Sequence, residues 1–278
     1  MLSYRFLSSD DFLALYECFC TAFSDYQVDM QMSEQDFAQR LARVGVRLDL
    51  SAGAFDDERM VGFYINAFGL WQGKQTAYDA GTGVIPDFRR RGVGVDLFAF
   101  METRLKQESV SQYLLEVLTT NERAVPMYRR LGFEVRRDFA VIRSQLAIAG
   151  GPAEVSVHRI DDPNWELFKT FWDGYPSWQN SIEAVDRARS ERLLVAAFAD
   201  SKCVGYGVAY PPAGMLMQIA VSPEYRRRGI GRGILKALHM GETLKVNNID
   251  EELKGTLAFF EANGFQTVAR QFEMSKTL

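Results

Sequence analysis

The feature that most constrains this chain is an eleven-residue string that occurs twice. Val84-Ile-Pro-Asp-Phe-Arg89-Arg-Arg-Gly92-Val-Gly94 returns as Val221-Ser-Pro-Glu-Tyr-Arg226-Arg-Arg-Gly229-Ile-Gly231, at an offset of 229 − 92 = 137. Before the first copy, Thr76 to Val84 reads as a strand. After it, Val93, Leu97, Phe100, Met101 and Leu105 recur at helical spacing. The glycines therefore stand at a strand-to-helix junction, where the missing Cβ lets backbone approach a ligand. The first helical N–H groups have no internal partner there, and the helix dipole adds positive potential. With three arginines beside it, such a junction is built to hold a pyrophosphate. A lone Gly-x-Gly or a lone basic run carries little weight, but the repeat in its strand–turn–helix context is a strong signal.

A repeat at 137 in 278 residues implies two units of one design. With 47% hydrophobic and 24% charged residues, each unit has the means to bury its own core. A net charge of −4 and a pI near 5.4 give no electrostatic footprint for nucleic acid, so the local arginines point to a small anionic ligand. Three cysteines, Cys18, Cys20 and Cys203, fit neither a disulfide framework nor a metal site. The two histidines, His158 and His239, are too far apart in sequence to suggest a metal pair, and no metal is expected. No apolar run reaches membrane-spanning length. Met1-Leu-Ser-Tyr-Arg-Phe lacks a signal-peptide layout, so the expectation is a cytoplasmic protein.

The order of elements is strand-first in each half. Ser3 to Leu7 reads as a strand, Phe12 to Phe23 as a helix and Ser33 to Val44 as a capped second helix. Two strands, 52–56 and 60–68, precede the strand and arginine loop described above. Tyr113 to Leu118 is a strand, and Asn121 caps a helix running to Leu131-Gly-Phe133. The linker is expected at 147–152, around Gly150-Gly-Pro152, between domains 1–146 and 153–278. Beyond it the same order predicts helices over 165–172, 181–189, 229–240 and 251–262, with strands at 193–198, 203–210, 215–221 and 242–246. The tripeptide Asn263-Gly-Phe265 repeats Leu131-Gly-Phe133 at an offset of 265 − 133 = 132.

Both halves resemble the GNAT superfamily of acyl-CoA-dependent N-acyltransferases. Arg89-x-x-Gly92-x-Gly94 and Arg226-x-x-Gly229-x-Gly231 are similar to that family's pyrophosphate loop. Leu115-Glu-Val117, Asn121, Tyr128 and Leu131-Gly-Phe133 are similar to its second signature. The resemblance implies an α/β (α+β) chain of two GNAT-like domains, each a mixed, mostly antiparallel sheet split like a V. Acetyl-CoA would lie in the V, its arm against backbone at Val84 and its pyrophosphate on Arg89, Arg90, Arg91, Gly92, Val93, Gly94 and Val95. Val221, Arg226, Arg227, Arg228, Gly229, Ile230 and Gly231 would do the same in the second half.

Amine acetylation needs a base for the amine proton and an acid for the departing thiolate. By the resemblance, Glu116 is the base, Tyr128 the acid and Asn121 a cofactor contact. Each also has a plain reading: a polar strand residue, a core aromatic and a helix cap. In the second half Lys245 and Phe260 are expected in place of Glu116 and Tyr128, which leaves that half able to hold a nucleotide but poorly equipped for transfer. Asp25 and Tyr26 are candidate acceptor residues, able to attract and cover an ammonium group, or else part of a solvated turn. The functional expectation is an acetyl-CoA-dependent N-acetyltransferase acting on a small-molecule or peptide amine, with a homodimer possible. A non-catalytic CoA-binding protein is the alternative.

Overall fold

The computed structural model describes residues 1–144, 155–239 and 243–278. The expected linker at 147–152 lies outside the described residues. Contacts divide the chain into one unit of Met1–Arg136 with Glu273–Leu278, and a second of Arg137–Phe272.

In the first unit the order is β1 (Ser3–Phe6), α1 (Phe12–Ala22), α2 (Glu34–Val44), β2 (Ala52–Asp56), β3 (Arg59–Trp71), β4 (Lys74–Val84), α3 (Val93–Gln107), β5 (Gln112–Leu118), α4 (Ala124–Arg130) and the start of β6 (Glu134–Ser144). Its sheet runs β1-β2-β3-β4-β5, followed by the end of the last strand of the chain. β3 is buried without a break from Met60 to Ala67, because it lies between β2 and β4 and is covered by helices on its faces. Ser33 caps α2 through the Asp36 amide, and Gly45 ends it at φ +84°. Rings of Phe19, Phe37 and Phe63 meet where α1 and α2 cover the sheet.

Two irregularities shape this sheet. β4 pairs with β5 in parallel only from Thr76–Gln112 to Tyr78–Leu114. Beyond that the two strands part, β4 running on to Val84 and β5 to Leu118. The parting coincides with a bulge: Ile65 faces Gly81 but Asn66 faces Asp79, so Ala80 is the extra residue. This is the split sheet that the resemblance implies.

The second unit repeats the plan. The rest of β6 is followed by β7 (Ser156–Arg159), α5 (Trp165–Lys169), α6 (Ile182–Arg187), β8 (Leu193–Ala199), β9 (Lys202–Tyr210), β10 (Met215–Val221), α7 (Ile230–Leu238), β11 (Lys245–Asp250), α8 (Lys254–Glu261) and most of β12 (Phe265–Thr277). Its sheet order is β6-β11-β10-β9-β8-β7. β10 and β11 pair only at Met215–Lys245 and Leu216–Val246, and the bulge recurs at Met217, the equivalent of Ala80 (80 + 137 = 217). One apolar cluster joins the sheet to α7 and α8, and another joins its opposite face to α5 and α6.

Several elements have other bounds than the sequence patterns predict. α5 stops at Lys169 rather than Trp172: the Trp172 amide turns back onto Lys169 O, and the Phe171 carbonyl goes to Arg226. β11 begins at Lys245 and runs to Asp250, three residues later than expected, because its register is set by Met215. Gly132 and Gly264, the repeated helix stops, both take positive φ, +88° and +82°. Among the described residues no helix is long and apolar enough to cross a membrane.

Candidate active site

The two glycine loops share their backbone conformation. Arg89 is extended (φ −66°, ψ 158°), Arg90 is left-handed at φ +63° and Gly92 at φ +84°. Arg226, Arg227 and Gly229 follow at −66° and 161°, +64° and +78°. Alternation of this kind turns successive amides inward as an anion nest, continuous with the start of α3 or α7. Val93 and Gly94 stand at the first turn, where amides have no helical acceptor. The Val95 amide is spent differently, on Gly92 O at 2.9 Å.

The three arginines of each loop part company. Arg89 points inward: it holds Val84 O through Nε (3.0 Å), Ala22 O (2.8 Å) and both oxygens of Asp25 (2.6 and 2.7 Å). Arg226 repeats this on Val221 O, Phe171 O and Asp173. These two brace the loop against the preceding helical segment, leaving the exposed Arg90, Arg91, Arg227 and Arg228 beside the nest. Arg91 lies over the Phe88 ring and Arg228 over Tyr225. Asp25, a candidate for the acceptor amine, is thus the counter-ion of Arg89, whose guanidinium holds its carboxyl below the usual carboxylate range.

Where β4 and β5 part, the first unit gathers its ionisable side chains. Asp79 receives the Gly81 amide (2.9 Å), the Thr82 hydroxyl (2.6 Å) and the Tyr128 hydroxyl (3.1 Å). Burial nevertheless outweighs these bonds and pushes its carboxyl up to about 6. Burial, and after it the charge of Asp79, raises the Tyr128 phenol well above its usual range. One strand over, Glu116 accepts the Tyr78 hydroxyl. Arg40, on α2, donates to Ala80 O at 2.9 Å, taking the carbonyl of the bulge residue. Its guanidinium also feels the charges of Tyr78, Glu116 and Asp79.

Asn121 does two things at this site. Its Oδ1 receives the amides of Arg123 and Ala124 at the head of α4, and its side chain hydrogen-bonds the Tyr26 hydroxyl. Gln27 and Thr120 join the same two segments (2.6 and 3.2 Å). Tyr26, Asn121, Tyr128 and Glu116 are therefore brought into one neighbourhood, while Asp25 faces the arginine loop. The sequence reading missed Asp79, Thr82 and Arg40. A signal was present: Asp79-Ala-Gly-Thr-Gly83 sets a carboxylate and two glycines inside a buried strand, a pattern that marks bulges.

The second unit keeps the loop and loses this chemistry. Leu216 stands at the place of Asp79 (79 + 137 = 216) and Phe260 at that of Tyr128 (128 + 132 = 260), with the Phe260–Phe265 ring contact matching Tyr128–Phe133. The strand pairings correct one expectation. Tyr78 faces Leu114 and Met215 faces Lys245, so two residues on, Asn247 rather than Lys245 matches Glu116. Among the described residues no group of three His, Cys, Asp or Glu side chains is placed to hold a metal.

Residues 12–133 match the Acetyltransferase (GNAT) family and residues 189–267 an Acetyltransferase (GNAT) domain. No curated protein matches the chain. The fold is similar to a tandem GNAT protein from the clavulanic acid biosynthesis pathway, solved without AcCoA, at 15% identity and TM-score 0.78, covering 100% of this chain and 98% of that one. It is also similar to a GCN5-related N-acetyltransferase from Sphaerobacter thermophilus (14%, TM-score 0.75, 99% and 95%). A putative acetyltransferase from Pyrococcus horikoshii is a third (17%, TM-score 0.71, 100% and 89%).

Proposed function

The chain belongs to the GNAT acetyltransferases and carries two such units, and from that premise we propose that its first unit transfers an acetyl group from acetyl-CoA to a primary amine. The observation that carries the reading is the Tyr128–Asp79 hydrogen bond at the fork of the sheet.

The residues fit the co-substrate. The nest from Arg90 to Gly94 suits a pyrophosphate, and a side chain on Gly94 would meet only Met127 Sδ, at 3.2 Å. Glu116 supplies negative charge that draws the acceptor, which reacts as the free amine after its ammonium proton has passed to solvent. Asp79, with a carboxyl near 6, is mostly ionised at neutral pH and only weakly basic, so it takes a proton from the amine as the N–C bond forms. Tyr128 gives its hydroxyl proton to the sulfur as the C–S bond breaks. Its phenolate then recovers a proton from Asp79 across their hydrogen bond, which restores both groups. Glu116 is the second candidate base, favoured by its place one strand from Asp79 beside Arg40.

The test is calorimetric titration of acetyl-CoA, then release of CoA over a panel of primary amines. Tyr128→Phe and Asp79→Asn are expected to keep acetyl-CoA binding and lose turnover. Binding with no CoA released by any amine would support the non-catalytic reading instead.

A further inference from the structure

The bulge of β4 ties together two side chains from different elements. Ala80 faces no residue of β3, and the peptide that joins it to Gly81 is held at both ends. Arg40 Nη2, from α2, donates to Ala80 O at 2.9 Å, and the Gly81 amide donates to Asp79 Oδ1 at 2.9 Å. Both bonds belong to one trans peptide group, whose carbonyl and N–H point opposite ways. A cation therefore stands at one end of that group and a carboxyl at the other.

Hydrogen bonds in series polarise one another away from water, and a charged donor strengthens the series. Arg40 draws electron density onto the carbonyl oxygen, which leaves the Gly81 N–H a better donor to the Asp79 carboxylate. The Phe19 ring, with its centroid 5.9 Å from the Arg40 guanidinium, helps to fix it. Burial lowers that guanidinium from its usual value, and the charges of Tyr78, Glu116 and Asp79 oppose the fall. An arginine stays charged through such a change.

Arg40 also supplies what the rest of the fork does not. Besides Glu116 one strand over, the titratable groups facing Asp79 are the phenols of Tyr26 after α1, Tyr64 on β3, Tyr113 on β5 and Tyr128 on α4. A neutral phenol can donate a hydrogen bond but brings no positive charge. The charge of Arg40 favours the ionised Asp79 against its burial.

We propose that Arg40 is a positioning residue of the first unit, which holds the bulge through Ala80 O and stabilises the ionised Asp79 across the Ala80–Gly81 peptide. Its part in catalysis rests on Asp79 acting as the base, whereas the link between Arg40 and Asp79 does not.

The test is the titration of Asp79 in the full chain, labelled at the aspartate carboxyl carbons and followed by carbon-13 NMR, with Asp79→Asn assigning the resonance. The parent midpoint is expected at about 6. Arg40→Met keeps most of the bulk and removes both charge and donor, so its midpoint should rise by about 1 pH unit or more. Arg40→Lys keeps a cation beside the same carbonyl and should bring the midpoint back toward the parent value. A midpoint in Arg40→Met equal to or below the parent's, or one in Arg40→Lys as high as in Arg40→Met, overturns the proposal. If Arg40→Met fails to fold, Arg40→Gln, uncharged and still a donor, should show the rise, and its absence there overturns the proposal equally. The acid limb of kcat/KM should move up in pH with the midpoint, which a merely structural role would not do. Midpoints that move as stated in a protein that releases no CoA with any amine would support the link and count against the transfer reading alone.

Discussion

Replacing Asp79 by Asn tests the electrostatics of the fork directly. The carboxyl rises from its ordinary 3.8 to about 6 on folding. Because the folded value is the higher one, the group favours the fold fully below about pH 4 and opposes it as the pH rises through 6. Each pKa unit is ~1.4 kcal/mol, so by pH 8 the ionised Asp79 costs the native state about 3 kcal/mol, and at pH 4, where it is mostly protonated in the fold, only a small part of that. Asparagine fits the same space, keeps one acceptor for Gly81 or Thr82, and does not titrate. Whatever fixed loss the substitution causes, the stability of Asp79→Asn relative to the parent should therefore improve by about 2 kcal/mol between pH 4 and pH 8. For a protein of this size that is a relative gain in Tm of about 4–8 °C. The assay is thermal unfolding of both proteins across that range, followed by circular dichroism. A gap that does not change with pH, or that moves the other way, would show that Asp79 is not held by burial as described. The same group should appear in turnover: kcat/KM of the parent is expected to rise through about pH 6 as Asp79 ionises. Asp79→Asn should lose that limb along with about 10²–10⁴-fold in rate.

Tyr128→Phe removes the donor to Asp79 with little change of shape, so CoA release should fall about 10²-fold or more while calorimetric affinity for acetyl-CoA holds. Gly94→Glu places a carboxylate at the nest and should abolish acetyl-CoA binding to the first unit, without the strain that any side chain would meet at Gly92 with its φ of +84°. Arg89→Ala leaves Val84 O and Ala22 O without their donor, and urea unfolding should show a loss of about 1–2 kcal/mol. Asp25→Asn, whose carboxylate is 57% exposed, should cost under about 1 kcal/mol.

The glycine loop was legible because its chemistry is local. A strand, a tight turn and a helix start leave their marks within a dozen residues, and two copies at one offset remove most of the ambiguity. The roles within that loop were not legible. Three adjacent arginines look alike in sequence, and only the fold shows that the first of each set reaches back to Ala22 O or Phe171 O while its neighbours stay in solvent. Asp25 was misleading for the same reason: an acidic turn near an expected acceptor pocket reads as a receptor for ammonium until its partner, 64 residues away, is seen to be Arg89.

Asp79 shows why the fork itself was hidden. Nothing in the residue types says that β4 and β5 part after Tyr78, because the parting depends on a pairing register set between strands far apart in sequence. Once the register is known, position 79 becomes the first place past the split, where a side chain meets both the helix bearing Tyr128 and the turn at Gly81 and Thr82. The second unit argues that folding does not require an aspartate at this position. It keeps the bulge at Met217, the short parallel pairing and the same loop conformation while carrying Leu216 there. A fork that forms with leucine does not need aspartate to form. In the first unit the carboxylate opposes the fold at neutral pH, so its presence is better explained by what it does to Tyr128 than by what it contributes to packing.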